Sequence, residues 1–166
     1  MRNLILSLFI ILSSLSLKAQ DEPISFYTSA GAAFGIGSLS DYATLGGGLG
    51  VQGVYHFSEN IEAFAQLSFY YFASNPKTNI TTHSESFTYH VPAIVGARAN
   101  ISNFLIGLGA GYGSYSLASN TTGGITFNPQ VGYNLDKYEI ILHYSTTAVS
   151  GGDLNFIGLK FNYKVF

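Results

Sequence analysis

From Ile24 onward, apolar and polar positions alternate with period 2 along almost the whole chain. That period places successive side chains on opposite faces of an extended strand, whereas a helix repeats its apolar positions at i, i+3 and i+4. The spacing predicts eight strands, over residues 24–37, 45–57, 61–73, 87–100, 104–116, 124–135, 138–148 and 154–166. Val, Thr, Tyr and Phe favour strands, and the many glycines disfavour helix. Each segment has 11 to 14 residues. Strands in soluble sheets usually have about 5–6 residues, and a tilted membrane strand needs about 9–11.

The connections between these strands fall into two kinds. Ser58-Glu59-Asn60, Ile101-Ser102-Asn103 and Asp136-Lys137 read as tight turns. Residues 38–44, 74–86, 117–123 and 149–153 are longer and rich in Ser, Thr, Asn and Gly. The two kinds alternate strictly, so an antiparallel arrangement puts all tight turns at one end and all long connections at the other. Transmembrane barrels share that asymmetry, with short periplasmic turns and longer extracellular loops. An even strand number brings both termini to the tight-turn, periplasmic end.

One face of every strand is free of charge. It carries Phe26, Ala30, Ala32, Phe34 and Ile36 on the first strand and Leu45, Leu49, Val51, Tyr55 and Phe57 on the second. On later strands it carries, among others, Leu67, Val95, Leu108, Val131, Leu142 and Leu159. The opposite face holds all the ionisable acids and bases that lie within strands: Glu62, Arg98, Glu139, Lys160, Lys164, His56, His90 and His143. A wholly apolar face must meet a protein core or lipid.

A soluble, lipocalin-like barrel binding an apolar ligand would turn that face inward. Its outside would then carry only five strand charges and long stripes of glycine, far below the roughly 25–35% charged residues of soluble surfaces. A membrane barrel turns the face outward and encloses the charges. Aromatic placement favours lipid. Phe26, Tyr55, Phe57, Phe104, Tyr133, Tyr138 and Tyr163 fall near the tight turns, and Phe34, Phe69, Tyr71, Phe87, Tyr89, Phe127 and Tyr144 near the long connections. Two aromatic girdles around an aliphatic band mark the two membrane interfaces. The expected fold is an all-β, eight-stranded antiparallel up-and-down transmembrane barrel.

An eight-stranded barrel is just wide enough for side chains to fill. Inner glycines at 46, 48, 50, 107, 109, 111 and 113 then make room for Phe64, Tyr70, Phe72, Tyr115 and the enclosed charges. Matching depths predicts a polar plug of structural charge pairs, Glu62 with Arg98 and Glu139 with Lys164 or Lys160. The run Gly107-Leu108-Gly109-Ala110-Gly111 continues as strand into Tyr112, so it is no phosphate-cradling loop, which must open a helix.

Only 10% of residues are charged, against 47% hydrophobic and 15% aromatic. The chain has no Lys/Arg cluster, which argues against nucleic acid as a partner. It has no Cys, hence no disulfide, thiolate site or catalytic thiol. No cofactor site is indicated, and His83 with Glu85 gives two ligands on one loop, too few for a metal centre.

Met1-Arg2-Asn3, the apolar run from Leu4 to Leu17 and the junction Lys18-Ala19 have the layout of a secretory signal peptide. We expect residues 1–19 to be removed and residues 20–166 to form the barrel domain. The 147 residues left carry five basic and nine acidic side chains.

Several stretches resemble the small outer-membrane β-barrel proteins, especially the porin-like barrel family common in Bacteroidota. These are Lys18-Ala19-Gln20, Val91-Pro92-Ala93-Ile94-Val95-Gly96-Ala97-Arg98, Leu108-Gly109-Ala110-Gly111-Tyr112-Gly113, Val131-Gly132-Tyr133-Asn134-Leu135 and the ending Phe161-Asn162-Tyr163-Lys164-Val165-Phe166. The mature chain is also similar in size to the membrane domain of outer membrane protein A. The resemblance implies residence in the outer membrane, contact with its lipid, and recognition of the C-terminal strand by the barrel-assembly machinery through a terminal Phe. Phe166 departs from the usual pattern, because Lys164, Asn162 and Lys160 occupy the alternate positions before it. It is expected to turn outward.

One constellation has catalytic form. His143 and Ser145, with Asp153 beyond them, resemble the His-x-Ser arrangement of outer-membrane lipid A deacylases. A base and a hydroxyl two apart on a strand share a face. Thr146 stands where that family has Asn, the acid falls in a loop, and the pair points away from lipid. The expected role is therefore structural or surface-interacting rather than enzymatic, with the long connection 74–86 as the first candidate for contacts at the cell surface.

Overall fold

The period-2 segments pair into a closed antiparallel barrel in the computed structural model, which describes residues 23–41, 43–74, 88–117 and 120–166. The strands are β1 (Ile24–Ile36), β2 (Ala43–His56), β3 (Ile61–Ser74), β4 (Thr88–Ile101), β5 (Phe104–Leu117), β6 (Asn120–Leu135), β7 (Tyr138–Val149) and β8 (Gly152–Lys164). Each strand pairs with its sequence neighbour, and β1 closes on β8 with Tyr27 opposite Lys164 and Ile36 opposite Asn155. Closure removes both sheet edges, so no ladder is left open along the wall. The expected signal peptide and its cleavage point lie outside the described residues, as does most of the 74–86 connection.

The tight turns form where the sequence places them. Ser102 and Asp136 take positive φ, at 59° and 65°, in the connections after β4 and β6. Asp136 N–H donates to Asn134 Oδ1 at 2.9 Å, an Asx-type turn that satisfies the backbone locally. At the β2–β3 turn, Ser58 Oγ accepts from Ile61 N–H at 3.1 Å.

The opposite end departs from the expected strict alternation. The ladder of β5 and β6 continues until Leu117 faces Asn120, and that of β7 and β8 until Val149 faces Gly152. Two of the four connections read as long are therefore two-residue links. The polar runs belong to strands that continue past the apolar belt, where threonine side chains meet water without leaving the β conformation. The connection after β1 forms a 3₁₀ turn, Gly37–Asp41, which carries Leu39 inward.

Side-chain direction follows the predicted faces. Leu67, Leu108 and Leu142 on the outer wall are 51%, 59% and 48% exposed, whereas Glu62, Arg98, Glu139 and Lys160 are buried in the lumen. The lipocalin-like alternative is overturned, because the apolar face lies outside and the polar face inside. Girdle aromatics meet in pairs: Tyr55 with Phe57 and Phe104 with Tyr133 at the tight-turn rim, Phe69 with Tyr89 and Tyr71 with Tyr89 toward the other. Phe166 lies against the outward Phe26, with ring centroids 4.9 Å apart, and its carbonyl accepts from Phe26 N–H at 2.8 Å.

Candidate functional site

The lumen is the only part of the described barrel where chemistry-bearing groups converge, and it has two zones. The lower zone, toward the tight turns, centres on Arg98. Glu62 on β3 and Arg98 on β4 are directly opposed in the ladder. Arg98 Nε donates to Glu62 Oε2. The other two guanidinium nitrogens cross the lumen to β7, where Nη1 and Nη2 donate to Glu139 at 3.1 and 2.7 Å. One guanidinium thus spans two carboxylates, using the planar fork that suits bidentate pairing. Neutral amides complete the shell: Asn100 Nδ2 donates to Glu62 Oε1 at 2.7 Å and Asn162 Nδ2 to Glu139 Oε2 at 2.9 Å. Tyr27 lies beside Arg98, with the guanidinium carbon 5.9 Å from its ring centroid.

The expected pairing of Glu139 with Lys164 or Lys160 does not form. Among the described residues no ion pair joins Glu139 to either lysine. Lys160 instead donates to Gln66 Oε1 at 2.8 Å and to Gln52 Oε1 at 3.4 Å. Lys164 sits half-buried near the end of β8. Matching depths between adjacent strands found the Glu62–Arg98 pair. It could not find Arg98–Glu139, because β4 and β7 meet only across the closed cylinder.

The upper zone is aromatic. Tyr70, Phe72, Tyr115 and Phe156 form one buried cluster with Ala33, Ala43, Leu154 and Leu39. His90 stacks on Tyr115 with centroids 3.9 Å apart, and Tyr70 packs on Phe156 at 5.0 Å. Inner glycines create the space for these rings. A Cβ on Gly46 would stand 2.6 Å from Phe72 Cδ1, one on Gly48 would overlap the Tyr70 ring, and one on Gly158 the His143 ring. Leu39 is fully buried and caps the cluster. Its signal in the sequence was one leucine set in the polar run Ser38-Leu39-Ser40-Asp41.

His143 and Ser145 share the inner face of β7, as their spacing predicts, and both are buried. The ring is otherwise engaged. Asn128 Nδ2 donates to His143 Nδ1 at 3.1 Å, which leaves Nε2–H to donate to Tyr70 OH at 3.3 Å. The lone pair a general base would use is therefore occupied. Ser145 Oγ has no hydrogen-bond partner among the described residues, and Asp153 is exposed at the start of β8. No group of three or more potential metal ligands occurs among the described residues.

A family model described as outer membrane protein beta-barrel domain matches residues 5–164. Among solved structures, the chain is similar to Ail, the attachment invasion locus protein of Yersinia pestis, solved with the heparin analogue sucrose octasulfate. The TM-score is 0.54 at 11% identity, over 86% of this chain and 99% of that one. It is also similar to neisserial surface protein A, with a TM-score of 0.56 at 12% identity, over 86% and 97% of the two chains. A third is the N-terminal beta-barrel domain of Pseudomonas aeruginosa OprF, with a TM-score of 0.53 at 10% identity, over 87% and 99%. These likenesses are likenesses of fold. No curated protein matches in sequence.

Proposed function

The chain belongs to the outer membrane protein beta-barrel domain family, and from that premise we propose that it is a closed-lumen barrel with a structural or surface-interaction role, not a solute pore. One observation carries this reading: both zones of the lumen are filled. Arg98, Glu62 and Glu139 are each no more than 3% exposed, and Phe72, Tyr115 and Phe156 above them no more than 1%. A path for hydrated ions would need these groups to move together. The protein reconstituted in planar bilayers should show no steady conductance, and a stable open level in the wild-type protein would overturn the reading.

In this reading residues 1–19 are removed on export. Both termini then face the periplasm, outer-membrane lipid covers the apolar wall, and the assembly machinery reads the strand ending in Phe166. Surface contacts fall to the long-connection end. In sequence, the connections read as long contain one lysine, Lys77, against three carboxylates, Asp41, Glu85 and Asp153, a balance that favours a neutral or weakly cationic partner over a polyanion. Hydrolysis at His143 and Ser145 is not part of the proposal, because Asn128 holds the nitrogen that the serine would need.

A further inference from the structure

Three side chains on the tight-turn rim stand in a relay. Ser25 is the second residue of β1, His56 the last of β2 and Glu62 the second of β3. Ser25 Oγ lies 2.9 Å from His56 Nε2, and His56 Nδ1 lies 2.9 Å from Glu62 Oε1. The surrounding contacts fix the tautomer. Glu62 accepts from Arg98 Nε on one oxygen and from Asn100 Nδ2 on the other, so it is an acceptor-only carboxylate. A neutral His56 facing that carboxylate carries its proton on Nδ1. Its Nε2 lone pair is then directed at the Ser25 hydroxyl.

We propose that Ser25 is the nucleophile of an acyl-transfer site at this rim, with His56 as its base and Glu62 as the positioning residue. Hydroxyl, imidazole and carboxylate in this order are what activate a serine, independent of fold. The substrate class is carboxylic esters of small acyl groups gathered at the membrane interface. Phe26 next to Ser25, and Tyr55 and Phe57 on either side of His56, belong to the girdle that sets this depth. In the step, Ser25 Oγ bonds to the ester carbonyl carbon while its proton passes to His56 Nε2. The C–O bond to the alcohol breaks, and the departing alcohol takes that proton. Water activated by His56 then cleaves the acyl-serine, returning the hydroxyl and releasing the acid.

Access is limited but available. Ser25 is 3% exposed, whereas the His56 side chain is 32% exposed at the rim. Ser25 faces Val54 on β2, and the backbone bonds between β1 and the C-terminal end stop one residue on, where Phe26 bonds to Val165 and Phe166, so a substrate reaches the pair from the rim along the exposed side of His56.

The test uses the processed full-length barrel in detergent micelles, with a fluorophosphonate probe and p-nitrophenyl butyrate. Peptide mass spectrometry should place the phosphonyl adduct on Ser25, at least ten-fold faster than on Ser29 or Ser145 in the same wild-type sample. S25A should lose the adduct and the butyrate hydrolysis. H56Q should slow both at least ten-fold, the lower range of general-base effects being about 100-fold. Heat-modifiable gel mobility checks that each variant is folded. An adduct rate on Ser25 no greater than on Ser29, hydrolysis that survives S25A, or a folded H56Q that reacts like wild type would overturn the proposal. The comparison within the wild-type sample holds even where a variant fails to fold.

Discussion

At the tight-turn end the lumen is held by Arg98 between Glu62 and Glu139. At the other end it is held by Phe72, Tyr115 and Phe156 beneath Leu39. Arg98, Glu62 and Glu139 in the first zone and Phe72, Tyr115 and Phe156 in the second are all buried, yet they are held by different physics. The ionic zone is directional: one guanidinium serves two carboxylates, and removing it leaves two like charges facing each other in a desolvated site. The aromatic zone is additive. Each ring contributes its own area and edge contacts, and neighbours can shift to reduce a loss.

The largest effect should come from the ionic zone. R98A is expected to destabilise the barrel by about 3–5 kcal/mol, the usual cost of leaving a buried charge without its partner. Thermal unfolding followed by gel mobility measures it, with K77A, in a polar connection, expected near wild type. An R98A barrel that melts with wild type at neutral pH would show that hydrated charges, not a network, occupy the lower zone.

F156A should come next, at about 3 kcal/mol, the lower end for a buried Phe-to-Ala truncation. Its deficit should stay below that of R98A, because the rings around it can close on the gap and no charge is left unpaired. An F156A deficit larger than that of R98A would break the separation of the zones.

The smallest effect concerns the glycines. G48A should cost about 1–3 kcal/mol, because the new methyl group meets the Tyr70 ring and forces it aside. Its neighbour Gly47 faces outward, where an added Cβ would meet only Gly31 O at 3.7 Å, so G47A should remain close to wild type. Equal stability of the two variants would show that the inner glycines are not there to admit the rings.

Much of this architecture was legible along the chain. Period 2 assigned the strands and separated Leu67, Leu108 and Leu142 from Glu62, Arg98 and Glu139 correctly, since a pleated strand leaves each residue only two directions. Strand ends were less legible. The polarity of Thr121 and Thr122 reads as loop, whereas polarity above a membrane belt signals water rather than the end of a ladder. The site was the least legible part. Asn100 and Asn162 carried no charge to draw notice, and Ser25 stood apart from the histidine it meets.

The sequence by itself determined which face of each strand meets hydrocarbon and that the ionisable strand residues are enclosed, because alternation is a local property that pairing cannot reverse without a slip of register. Only the tertiary structure decided who meets whom inside. Closing β1 on β8 bends the sheet into a cylinder, so Arg98 on β4 reaches Glu139 on β7 and Lys160 is left to the amides of Gln52 and Gln66. Contacts across a lumen depend on curvature and side-chain reach, and neither is written in the spacing along a strand.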